Sequence, residues 1–231
     1  MGRIDAFHVR FTLERRKLKV LGFVLIAGEH SVPDNHFDLC IADPPYRNMC
    51  ENQPTKDMRK NGSMANFQNK PTKEKLDEIF RISKNQIIWG ANNFDLPNYK
   101  GFVVWEKLTI SEKFTMSMAE IAYISEGLGT VSKIFKCMPQ GVKEKRIHPT
   151  QKPLALYSWL LKLYANKGDK IFDPFLGSGS SRIAAYKMGF DFVGCEIDEE
   201  YLRLSEERFQ KECKGVEVNK NGITIVQGSL F

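Results

Sequence analysis

The sequence predicts an α/β protein built on a doubly wound, mostly parallel sheet, and three features carry that reading. From Pro153 onward, strand-like apolar runs alternate with helical ones, which calls for crossover connections and helices on both faces of a sheet. A glycine-rich turn, "FDPFLGSGS" over Phe172 to Ser180, joins a strand to the start of a helix. A carboxylate, Glu196, ends the next strand about twenty residues on, the spacing of a nucleotide-binding strand, turn and helix. At 231 residues the chain suits one such domain, taken as residues 1–231.

"FDLCIA" at 37–42 reads as a buried strand delivering Asp43. Residues 47–72 are rich in Asn, Gln and Lys with almost no apolar periodicity, so a long mobile loop is expected there. "KEKLDEIFRIS" has helical spacing at Leu76, Ile79 and Phe80, and the strands "QIIWG" and "GFVVWEK" follow. "AEIAYIS" reads as a strand, but the rest of 106–147 mixes turn residues, apolar pairs and bases, as an irregular recognition insertion would. Then come a helix "PLALYSWLLKLYAN", a strand "KIFDPF", a helix "SSRIAAYKMG" closed by Gly189, a strand "FVGCEI", a helix "DEEYLRLSEERFQKE" and a last strand of the sheet, "GITIVQG". The chain shows no internal repeat and no low-complexity segment.

Composition, at 42% hydrophobic and 27% charged, is ordinary for a soluble protein. No apolar run approaches the roughly 18 to 20 residues a membrane span needs, and charge interrupts the N-terminal "MGRIDAFHVRFTLERRKL", so a cytoplasmic protein is expected. The five cysteines form no C-x-x-C pair and the four histidines do not cluster near them, which predicts free thiols and no structural metal. The formal charge is +6, with bases gathered at 15–19, 56–60, 70–75 and 143–146, clusters that suit a polyanion such as a nucleic acid but equally a basic, soluble surface.

Two stretches carry the chemistry. In "CIADPPYRN" the adjacent Pro44 and Pro45 remove two backbone donors and fix two φ angles, leaving a rigid extended turn whose carbonyls are offered as acceptors. Taken alone, it is equally a strand ending in a proline-rich turn capped by Asp43. In "FDPFLGSGSSRIAA", Gly177 and Gly179 let backbone approach a ligand, Ser180 or Ser181 stands near the helix N-cap, and Glu196 can accept from both hydroxyls of a ribose. An adenosine-type cofactor follows. A dinucleotide is disfavoured because Arg182 occupies the third glycine position and Asp173 would repel a pyrophosphate. A carboxylate there favours the cationic S-adenosylmethionine.

With "DPPY" at 43–46, "HPTQKP" at 148–153 and "FDPFLGSGS" at 172–180, the chain resembles the β group of amino-methylating DNA methyltransferases, and within it the short adenine methylases of phages and prophages. The resemblance spans roughly residues 37–213 and keeps that group's circularly permuted motif order, catalytic before cofactor; "IIWGANNF", "VVWEK" and "AEIAY" also match. It implies the S-adenosylmethionine-dependent methyltransferase fold and methyl transfer to the exocyclic amine of adenine in double-stranded DNA. Asp43 and the Pro44 carbonyl would accept from that amine, Tyr46 would stack on the extruded base, and Pro45 would hold the turn. Asp173 would serve the cofactor's methionine end, Phe175, Gly177, Ser178 and Gly179 the turn beneath it, and Glu196 the ribose, with Thr150 and Lys152 at the amino-acid end. His148 is expected to be buried or capping, not catalytic.

Two departures stand out: "KVLGFVLIAGEHSVPDNHFDL" lacks the family's Gly-Asp turn, and 106–147 is short for a recognition region, which implies a short target site or a homodimer. Methylation of the cytosine amine, more usual with Ser at the position of Asp43, and a DNA-binding relative without catalysis are the other readings. At the C-terminus, Gln227, Leu230 and Phe231 match the Q-x-x-L-F pattern of peptides that dock on the bacterial sliding clamp, unless Leu230 and Phe231 tuck against the last strand.

Overall fold

The structure, a computed structural model, describes residues 18–21, 32–46, 70–139, 144–219 and 222–225. Most of the expected loop at 47–72, the basic clusters at 15–17 and 56–60, and the C-terminal Gln227, Leu230 and Phe231 therefore lie outside the described residues.

Among the described residues eight strands form one sheet: β1 (Leu18–Leu21), β2 (Phe37–Ala42), β3 (Ser83–Trp89), β4 (Phe102–Lys107), β5 (Ala119–Ile124), β6 (Lys133–Cys137), β7 (Lys170–Asp173) and β8 (Asp191–Cys195). Their order is β1-β8-β7-β2-β3-β5-β4-β6. β1, β8, β7, β2 and β3 are mutually parallel, β5 runs antiparallel to both β3 and β4, and β6 is parallel to β4. The winding reverses between β2 and β7. From β2 the chain crosses to β3 through helix α1 (Lys73–Ile82), and from β7 it crosses the other way to β8 through α3 (Ser180–Met188). Ligands of open parallel sheets sit at the carboxyl ends of strands at such a reversal. Those ends here carry Asp43 and Asp173.

The central strands are buried on both faces, so they read as continuous apolar runs: Leu39, Cys40, Ile41, Ile87, Ile88, Trp89, Ile171 and Phe172 are each at most 1% exposed. Helix α1 covers one face through Leu76, Ile79 and Ile82, and α2 (Leu154–Tyr164) packs into the other core through Leu156, Leu160 and Leu161. Asp198 caps α4 (Glu199–Lys214) by accepting from Tyr201 N at 2.9 Å.

Two expectations need correction. "GITI" is not the last strand of the main sheet: β10 (Gly222–Ile225) pairs antiparallel with β9 (Val216–Asn219) in a separate ribbon. Two residues separate the strands, and so short a link makes the local pairing the cheap one. Nor is 106–147 a body apart from the sheet, because β5 and β6 are integral strands; β5 fills the antiparallel slot between β3 and β4. Within that stretch, 108–118 is the longest described connection between strands, and it opens beside a depression of about 480 Å³ walled by Lys107, Ile110 and Met118.

Helix α4 braces the glycine turn. Arg208, 7% exposed, donates to the Ser178 carbonyl at 3.2 Å, Ser180 Oγ at 2.8 Å, Glu144 at 3.0 Å and Glu212 at 2.7 Å. Removing it strands Glu144 as a buried charge. Arg208→Ala is expected to lower stability by about 3 kcal/mol, read as a lower melting temperature and denaturant midpoint.

Candidate active site

The turn leaving β2 presents Asp43, and its carboxylate meets side chains from three distant elements. Lys152, 4% exposed, comes from the strap that leads into α2. Its Nζ lies 2.5 Å from Asp43 Oδ1, 3.0 Å from Glu120 Oε2 and 3.0 Å from the Tyr46 hydroxyl. That hydroxyl is 2.8 Å from Asp43 Oδ1 and 2.9 Å from Glu120 Oε2, so its one proton can be given to either carboxylate. Lys107, at the end of β4, pairs with Glu120 Oε1 at 2.6 Å.

Burial dominates the electrostatics here. It raises the Asp43 carboxyl, an effect that Lys152 opposes and Glu120 reinforces. For Glu120 burial also acts upward, but Lys152 and Lys107 together outweigh it and pull the group down to about 2. Tyr46 is held well above the ordinary phenol range by burial and then by the two acids. Lys152 rises despite its burial because Asp43 and Glu120 face it. Glu120 is the committed anion and Asp43 the more basic one.

Gly90 fixes the Tyr46 ring. A Cβ there would come within 2.2 Å of Tyr46 Cε1, and Gly90 has φ +69°, a region that only glycine enters without strain. The ring also lies 5.4 Å from Lys152 Nζ. The hydroxyl is engaged, so the role of Tyr46 is not limited to its aromatic face.

On the neighbouring strand end, Asp173 is 1% exposed; its Oδ1 accepts from Phe175 N at 2.9 Å and its Oδ2 from the Ser181 hydroxyl. Burial carries its carboxyl up to about 7, with Asp43 and Glu196 adding to the rise. Gly177 and Gly179 take φ +50° and +73°, as the tight turn requires. Glu196 closes over that turn, accepting from Gly177 N at 2.7 Å and Asp198 N at 2.9 Å. Next to it Ile197 is 61% exposed, an apolar surface at the same edge.

The structure thus brings Asp43, Pro44, Pro45, Tyr46 and Lys152 together, and Asp173, Phe175, Gly177, Gly179 and Glu196 beside them. Three expected residues fall differently. Lys152 reaches Asp43, not the methionine side of Asp173. Thr150 is exposed and bonds to His148 Nδ1, at 3.3 Å through its amide and 3.2 Å through its hydroxyl. Ser178 is buried with its carbonyl on Arg208 and its hydroxyl on Ser180, a brace within the turn. His148 packs edge-on against Tyr201 with ring centroids 4.3 Å apart, and burial, then Lys152 and Arg146, lower it to about 3, so it stays neutral. Glu120, Lys107 and Gly90 are site residues that the sequence reading does not include; for the two charged ones the available signal is a charge at the end of an otherwise apolar strand, Glu120 near the start of "AEIAYI" and Lys107 at the end of "FVVWEK".

A family described as DNA methylases of the N6/N4 type matches residues 52–207. The chain belongs to this family. The match begins beyond Tyr46, so it takes in Lys107, Glu120, Lys152, Asp173 and Glu196 but not the Asp43–Tyr46 turn. Among relatives, the type II methyltransferase M.HpaI of Haemophilus parainfluenzae is 25% identical over 232 residues, covering 80% of this chain and 72% of its own. M2.MboI of Moraxella bovis, also a type II methyltransferase, is 30% identical over 132 residues, 57% of this chain and 43% of that protein. The fold is that of M1.HpyAVI in complex with S-adenosylmethionine (TM-score 0.52, 18% identity, 84% of this chain and 99% of that one). It is equally that of the cytosine-N4-specific PvuII methyltransferase (TM-score 0.54, 12% identity, 78% and 81%). As a member of this DNA methylase family the protein is a methyltransferase that uses S-adenosylmethionine.

The chain's own residues fit that cofactor. Asp43, Asp173 and Glu196 gather at one sheet edge, and the desolvated Asp173 is relieved by a cation and worsened by a phosphate. Asp173 and Glu196 would hold the amino group and the ribose. Gly90→Ala should displace the Tyr46 ring, costing about 1 to 3 kcal/mol of stability by overpacking together with strain at positive φ, as thermal unfolding would record.

Proposed function

We propose that the protein methylates the exocyclic amino group of adenine in double-stranded DNA. The observation that carries this reading is Asp43 itself: a buried carboxylate on a Pro-Pro turn, tied at Oδ1 by Lys152 and Tyr46, next to the cation-seeking Asp173. An aryl amine is a poor nucleophile because its lone pair is delocalised into the ring. Two acceptors, Asp43 and the Pro44 carbonyl, would draw its hydrogens and favour a tetrahedral nitrogen with the lone pair free to react. S-adenosylmethionine supplies an electrophilic methyl group when bound. The target nitrogen forms the new N–C bond as the methyl carbon's bond to sulfur breaks, the electron pair leaving on sulfur. The nitrogen then sheds a proton that Asp43, kept basic by burial, can take. Tyr46 would shield the extruded base as well as steady Asp43.

An aspartate as first residue of the turn, where cytosine methylases more often have Ser, supports adenine. Incubation with plasmid DNA and tritiated cofactor, followed by nucleoside analysis, tests it. N6-methyladenine is expected; N4-methylcytosine would overturn the base assignment, and unlabelled DNA the activity. Asp43→Ala should cut methyl transfer by about a hundredfold or more, leaving cofactor affinity within a few fold.

Asp173 predicts a pH dependence. Its folded value of about 7 stands above the ordinary 3.8, so the ligand-free fold holds a proton that the unfolded chain has released, and this group's contribution to stability falls as pH rises through that window. A cationic ligand favours the ionised form. Calorimetry should therefore find tighter S-adenosylmethionine binding at about pH 8 than at about pH 6, with proton release at the lower pH. Asp173→Asn should weaken binding and abolish that dependence.

A further inference from the structure

Glu120 has no place in the reaction as described, yet of the two carboxyls in the buried cluster it is the one held as an anion, pulled down where Asp43 is pushed up. Side-chain exposure is 3% for Lys152, 9% for Lys107, 14% for Asp43 and 18% for Glu120, so charges here act on one another with little screening. Both Glu120 oxygens are committed: Oε1 to Lys107, Oε2 to Lys152 and Tyr46. Among the described residues, the hydrogen bonds to the Asp43 side chain all land on Oδ1. Glu120 thus shares with Asp43 both groups that hold it. The antiparallel register of β4 with β5, Trp105 opposite Glu120, sets Lys107 and Glu120 at the same strand ends.

We propose that Glu120, braced by Lys107, is a positioning residue: it steadies Lys152 and Tyr46 and draws part of the Lys152 charge away from Asp43, so that Asp43 remains a strong acceptor for the target amine. Without Glu120, the ammonium pairs wholly with Asp43. A carboxylate so neutralised is a weaker acceptor and a weaker base. Without Lys107, the full charge of Glu120 bears on Lys152 and Asp43. The two removals push Asp43 in opposite directions.

The groups around Asp43 are Tyr46 on its own turn, Lys152 on the strap, Glu120 on β5 with Lys107 behind it on β4, Asp173 on β7 and Tyr157 on α2, with His148 close to Lys152. Of these, Glu120 and Lys107 are charged groups that can be neutralised without replacing a residue hydrogen-bonded to Asp43 or one on the Asp173 turn.

The inference rests on the DNA methyltransferase reading, and its test has one arm independent of activity. Carbon-13 NMR of the side-chain carboxyls gives the Asp43 titration midpoint, assigned by its loss in Asp43→Asn. Glu120→Gln should move that midpoint to lower pH and Lys107→Met to higher pH. An unchanged midpoint in both variants, or shifts of the same sign, would overturn the proposal, because damage to packing has no reason to act with opposite signs. In the activity arm, Glu120→Gln should lower kcat on the order of tenfold, shift the acid limb of the pH–rate profile to lower pH, and keep S-adenosylmethionine affinity within about twofold. An equal loss of cofactor affinity would make Glu120 merely structural. Opposed midpoint shifts in a protein that labels no DNA would sink the functional reading and keep the network; transfer with static midpoints would do the reverse.

Discussion

Two buried carboxylates, Asp43 and Asp173, stand at the carboxyl ends of adjacent strands; burial raises both, Glu120 adds to the rise at Asp43, and Asp43 adds to the rise at Asp173. Each loses hydration and gains a like charge, so each needs a cation or a proton. Among the described residues the fold supplies a cation to Asp43, Lys152, and none to Asp173. Among the described residues, Asp173 receives an amide and a hydroxyl, and stays poised near neutrality. The site is therefore asymmetric before any ligand arrives: one acid is satisfied from within, the other is completed from outside. The reversal of winding between β2 and β7 makes this affordable, because no crossover helix has to cover the gap where the two acids meet.

The strap at 144–153 is what couples the two halves. Glu144 accepts from Leu154 N at 2.9 Å and from Arg208, which in turn grips the glycine turn. Gln151, 6% exposed, accepts from Ile147 N at 3.0 Å and donates to the Lys145 carbonyl at 3.3 Å, closing the strap on itself. His148 lies under Gly177. Between these anchors Lys152 has one place to go, the pocket between the Tyr46 and Trp89 rings, each 5.4 Å from Nζ. A residue from the cofactor half thus finishes the catalytic half.

What the sequence made legible was local. A strand running into Asp-Pro-Pro, a glycine turn with the next strand's acid, and the alternating pattern from Pro153 through α4 each depend on a few neighbouring residues, and each appears as expected. The parts that escaped depend on distance along the chain. Lys152 and Asp43 are 109 residues apart, and nothing in "HPTQKP" says which of two acids its lysine meets. Glu120 in "AEIAYI" looks like the solvent-facing member of an edge strand, and becomes a buried anion only because β5 slots between β3 and β4. "GITI" has the composition of a sheet strand, but composition does not choose between a distant partner and β9 two residues away.

The chain's charge is distributed in a way that bears on substrate selection. The whole carries +6, with exposed Lys145 and Arg146 on the outer side of the strap, while the sheet edge behind it concentrates Asp43, Glu120, Asp173 and Glu196. A surface of that sign attracts a phosphate backbone. That end of the sheet has the opposite preference. Two of its four acids are offset by Lys152 and Lys107, and the remaining two oppose the entry of any anion. In the proposed function, a nucleotide approaching the site is sorted by charge: its phosphates stay on the basic rim, and the uncharged base is the part that can cross into the acidic interior. Unstacking that base costs a few kcal/mol, offset by phosphate contacts outside and by the aromatic and acceptor contacts of Tyr46, Asp43 and Pro44 inside. Extrusion of the base then follows from where the charges lie, with no demand on recognition of its neighbours.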